Sequence, residues 1–62
     1  MPQFDLHINH AKAALAANDL QWARRELDLA WTYAQGLQRK VAHDLANVIQ
    51  VAIFESYVSG EV

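Results

Sequence analysis

Cysteine is absent from this 62-residue chain, which removes disulfides and thiolate metal sites together. Proline occurs once, at Pro2, and the only glycine before the C-terminal end is Gly36, so little interrupts a helical reading in between. Serine is confined to Ser56 and Ser59, and there is no glycine-rich loop to cradle a phosphate. Five basic residues face seven acids for a formal charge of −2, with no block of like charge that would serve as a polyanion-binding tail. No apolar run approaches the roughly 18 residues of a membrane span, and "MPQFDLHINH" lacks the basic start and apolar core of a signal peptide. These absences lead us to expect a cytoplasmic protein with no membrane segment.

What remains is apolar and helix-forming. Hydrophobic residues make up 53% of the chain and charged ones 19%, enough apolar surface to fold. A chain of this length rarely gains more than about 3–5 kcal/mol from one core. Without disulfides, oligomerisation is the leading means of adding to that. Alanine, leucine, glutamine, lysine and arginine dominate the first two thirds, and apolar residues recur every third or fourth position, so the fold class is all-α.

Phe4, Ile8, Ala11 and Leu15, with Ala14 beside them, share one face of a first helix over about residues 3–17. Pro2 suits a helix start and Asp5 the positive end of its dipole. A turn follows at residues 18–19, where Asn18 tolerates the left-handed conformation and Asp19 caps the next helix. From Leu20 the apolar positions run Ala23, Leu27, Ala30, Ala34, Leu37, Val41, Leu45, Val48 and Ala52 without a slip of phase at Gly36. No Ser, Thr, Asp or Asn follows the glycine as a cap, and Arg39 and Lys40 are disfavoured at a helix start. The pattern therefore predicts a helical hairpin with a short first arm and a long second arm over residues 20–58, a break at 36 into three helices being the alternative, and a flexible tail over 59–62. A long arm of that span measures about 58 Å against about 20 Å for the first. The uncovered apolar length points to a dimeric bundle, and we assign self-association to Leu37, Val41, Leu45, Val48, Ile49, Ala52 and Ile53.

Chemical constellations are sparse. His7 and His10 share a side of the first helix at a spacing able to serve a metal, but no third ligand is evident nearby in sequence, and they read as a polar helix edge. The carboxylates at Asp5, Asp19, Glu26, Asp28, Asp44, Glu55 and Glu61 are scattered, Glu26 and Asp28 being assigned to a solvated face. We assign no catalytic residue, no cofactor and no metal. Two helices and a short turn suggest a helix-turn-helix, yet Lys12, Arg24, Arg25, Arg39 and Lys40 do not line one stripe. Trp22 and Tyr33 lie on the opposite flank of their helix from Trp31, so one core stripe cannot cover all three. Trp22, Trp31, Tyr33 and Phe54 are accordingly the residues expected to meet a target protein.

The segment "AKAALAANDLQWARRELDLAWTYA" resembles a tetratricopeptide repeat over residues 8–35: Ala11, Ala23, Leu27 and Ala30 stand at its small-small-large-small contacts, and Asn18-Asp19-Leu20 is similar to its turn. The chain has His7 and His10 where the motif has an early aromatic and leucine, Ala14 at its tyrosine, and Gln35 near its closing proline. The resemblance implies a protein-binding role with nothing catalytic, and one repeat falls short of the about three units that bury a continuous core. The sequence thus reads as a small homodimeric interaction protein, an adaptor, chaperone-like partner or inhibitor of a larger regulator. A dimeric DNA-binding or transcription-modulating protein is the alternative.

Overall fold

The computed structural model describes residues 2–59 as three packed helices, α1 (Gln3–Ala16), α2 (Leu20–Tyr33) and α3 (Leu37–Ser59). The expected tail falls, beyond Ser59, outside the described residues. No helix among the described residues is long and apolar enough to cross a membrane.

The first turn follows directly from local chemistry. Asn18 takes φ of 61°, and the N–H groups of Asn18 and Asp19 donate to the carbonyls of Leu15 (2.9 Å) and Ala14 (2.8 Å). That paired pattern is a Schellman closure, satisfying two carbonyls that the end of α1 would leave bare. One residue on, the Asp19 carboxylate accepts from the Trp22 N–H at 3.2 Å and caps α2.

The second junction follows the alternative of a break at Gly36 rather than the continuous long helix. The chain leaves α2 at Ala34 in an extended conformation (φ −73°, ψ 138°), and Gly36 turns it with φ of +56° before α3 begins. Gln38 accepts the Gln35 N–H on its side-chain oxygen at 3.0 Å, in the manner of the returning arm of a capping box. Arg39, read from sequence as misplaced at a helix start, instead turns back to the end of α2. Its Nε donates to the Ala34 carbonyl at 3.4 Å and its guanidinium lies 5.9 Å from the Trp31 ring centroid. A cation disfavoured by one helix end is thereby used at the opposite-signed end of the preceding helix.

Helix α2 is the central element: α1 packs along it, α3 packs on it more lightly, and α1 and α3 scarcely meet. Phe4, Ile8, Ala11 and Ala14 of α1 meet Ala23, Leu27 and Ala30 of α2, and Ala42, Leu45 and Ile49 of α3 complete the core with Ala34. Ala11, Ala23, Ala30 and Ala42 are fully covered, and side chains this small favour the short end of the about 8–10 Å range of helix separations. The break at Gly36 also shifts the phase of α3. Ile49 is 1% exposed while its neighbour Val48 is 52% exposed, and Leu37, expected to continue the stripe, is 85% exposed.

Candidate functional site

The polar feature at the α1–α2 contact is built from both helices. His7 and His10, one turn apart on α1, are directed at Glu26 on α2, with each Nδ1 facing the same carboxylate oxygen at 2.8 Å and 3.4 Å respectively. Glu26 is 6% exposed and is the single buried charged residue among those described. This corrects its assignment to a solvated face: α1 lies over it. The His7 side chain is 16% exposed and that of His10 50%, so the cluster runs from a closed end to an open one. On the closed side the Tyr33 ring stacks on His7, centroids 5.7 Å apart and planes 13° from parallel.

Electrostatics fit this geometry. With its proton on Nδ1, His7 donates to the Glu26 carboxylate, and that hydrogen bond is the largest cause holding the Glu26 pKa below its ordinary value. Burial pushes the other way, and the hydrogen bond and positive charge available from His10 add to the lowering. The three donor atoms of His7, His10 and Glu26 lie within 4.8 Å of one another. The third ligand that the sequence does not place near the histidines is therefore present in space, on the facing helix.

The residues expected to self-associate are divided by the fold. Leu45 and Ile49 are covered by the chain's own helices, Ala52 and Ile53 are half-buried, and Leu37, Val41 and Val48 are exposed. Val51, Phe54, Tyr57 and Val58 extend the exposed apolar surface of α3 beyond that expectation. At about 100° per residue, the stripe Leu37, Val41, Val48 and Val51 is centred roughly 120° from the stripe of Ala42, Leu45, Ile49 and Ile53 that faces the core. Helix α3 thus has, besides its core face, an uncovered face that is largely apolar and carries Asp44 and Glu55 among its valines and Leu37. A surface helix is ordinarily polar there.

The four aromatic residues expected at a target contact are all exposed but not gathered. Trp31 lines a cleft of about 200 Å³ between α2 and α3, with Arg24 and Asp28 on its own helix and Ala42, Ala46 and Gln50 opposite. That volume is below the about 300–1,000 Å³ typical of small-molecule sites. Tyr33 faces His7, Trp22 stacks under Arg25 (5.8 Å), and Phe54 stands near the end of α3. The basic residues are likewise dispersed, Arg25 and Arg39 over tryptophans and Lys40 beside Asp44 at 3.8 Å. Comparisons of the chain with family models, curated proteins and solved structures give no match.

Proposed function

We propose that this chain is a non-catalytic protein–protein interaction module that pairs with a second copy through the outer face of α3. The paired surface then acts as an adaptor, a chaperone-like partner or an inhibitor of a larger regulator. The observation that carries this reading is the uncovered stripe of Leu37, Val41, Val48 and Val51, interrupted by Asp44, with Phe54 and Val58 exposed to one side of it farther along α3. Fully burying one such side chain is worth about 1.5–3 kcal/mol, so partial burial of several from each copy offsets the about 4–15 kcal/mol that association costs.

A second copy suits this surface for two reasons. The stripe is straight and lies on one helix, which a two-fold axis duplicates with no new surface required. In an antiparallel pairing centred on Val48, residues equidistant from the centre meet, which sets Val41 of one copy across from Glu55 of the other with Lys40 beside it. Lys40, paired with Asp44 on its own helix, then lies near Glu55 of the other copy, an opposite-charge contact that helps to set register. The dispersal of the cations favours a protein contact over a phosphate backbone, and a protein-binding role is also what the tetratricopeptide resemblance of α1 and α2 implies.

Sedimentation equilibrium over a wide concentration range tests the proposal. The wild type is expected to dimerise, and the double variant Val48→Asp, Val51→Asp, altered at two exposed positions, to remain monomeric with unchanged helix content. A wild type that is monomeric at every concentration overturns it.

A further inference from the structure

We propose that His7, His10 and Glu26 bind one divalent transition-metal ion between α1 and α2, with zinc as the reference occupant. This goes beyond the pairing reading and stands on different residues. Two imidazoles and a carboxylate form a nitrogen and oxygen donor set suited to zinc, with copper and nickel as competitors.

The geometry separates this reading from a purely structural one. A buried carboxylate needs a hydrogen-bond donor, and His7 at 2.8 Å already supplies it. His10 stands at 3.4 Å from the same oxygen, beyond the usual N–H···O range of about 2.7–3.2 Å, so it is the weaker of the two contacts. Donors on a tetrahedral zinc, with bonds of about 2.0–2.1 Å, are about 3.3–3.4 Å apart. The His10 to Glu26 separation therefore already has the spacing of two ligands on one ion. Seating the ion requires the His7 to Glu26 contact to open by about half an ångström and the two imidazole nitrogens, which lie within 4.8 Å of each other, to take up the same spacing, changes made by side-chain rotation.

The supporting structure also suits a metal. The histidines share one turn of α1, Glu26 comes from the facing helix, and both helices are held by the alanine contacts of the core. Tyr33 stacked on His7 restricts that ring, the positioning role outer groups serve around metal ligands. The half-exposed His10 marks the open side, by which an ion enters and where a water or a ligand from another molecule takes the remaining position.

The test uses the full chain, stripped with chelator and titrated with zinc chloride, while the imidazole C–H signals of its three histidines are followed by NMR. His43, exposed on α3 and not a member of the cluster, is an internal control. The expected result is one ion per chain, with the His7 and His10 signals moving together and His43 unmoved. In calorimetry, Glu26→Gln and His10→Ala each weaken binding by about tenfold or more, with helix content checked by circular dichroism. His7 and His10 signals that stay fixed at millimolar zinc, or that move no more than His43, overturn the proposal. So does undiminished affinity in both variants. The readout on the unaltered chain decides the question even where a variant fails to fold.

Discussion

Glu26 shows how much a single residue depends on its partner helix. A carboxylate removed from water is costly unless hydrogen-bonded, and here the donor lies 19 residues away on α1. Because the His7 hydrogen bond holds its pKa below the ordinary value in the folded chain, the unfolded chain takes up the proton first as pH falls. Glu26 therefore contributes stability above the carboxylate pKa of the unfolded chain, about 4.3, and that contribution is lost as pH drops through this value toward the lower folded one. In metal-free protein, urea unfolding from about pH 6 down to about pH 3 should show the wild type losing stability more steeply than Glu26→Gln. Parallel curves would mean that the carboxylate gains nothing from its imidazole partners. In sequence, Glu26 sits among Arg24, Arg25 and Asp28 and reads as solvated. The available signal was geometric: a hairpin folded about Asn18 sets position 10 across from position 26, eight residues to either side. Asn18 and Asp19 themselves were legible because their roles are set within three or four residues of chain.

At the scale of the element, α3 has the same composition under either reading of Gly36, and only its rotation differs. A helix running through the glycine would keep Val48 in the stripe of Leu27 and Ala34, whereas the observed break turns Ile49 inward. Adjacent substitutions separate the two. Ile49→Ala is expected to cost about 2–5 kcal/mol, as for buried isoleucines generally. Val48→Ala, measured at dilute concentration, should stay within about 0.5 kcal/mol. Chemical denaturation of the pair checks this, and a reversed order would restore the continuous helix. The break escaped sequence reading because its two cues conflict with the usual rules. The apolar spacing carries across the turn unchanged, and Arg39 answers to the Ala34 carbonyl and the Trp31 ring behind it rather than to the helix it opens. Sequence pattern fixes which residues are apolar on α3, but the turn decides which of them face inward.

For the whole molecule the decisive quantity is how little of α3 its companions cover. Helices α1 and α2 have 14 residues each and α3 has 23, so at about 1.5 Å per residue α3 exceeds them by about 13 Å. Among the described residues six of the eleven buried apolar ones are alanine, leaving Phe4, Ile8, Leu27, Leu45 and Ile49 as the large members of the core. A core this thin gives little stability of its own. If pairing through α3 supplements it, folding and association are linked, because a partner that binds only the folded chain stabilises it. The gain reaches about 2.7 kcal/mol when the free partner stands about 100-fold above its dissociation constant, and each kcal/mol moves the midpoint by roughly 4–8 °C in a domain of this size. Thermal unfolding in chelator, which removes any contribution from bound metal, should therefore show a midpoint that climbs by several degrees with chain concentration. In the Val48→Asp, Val51→Asp variant the midpoint should sit lower and hold constant. A wild-type midpoint independent of concentration would mean that the three helices stand on their own alanine-rich core and that the outer face of α3 contributes nothing to folding.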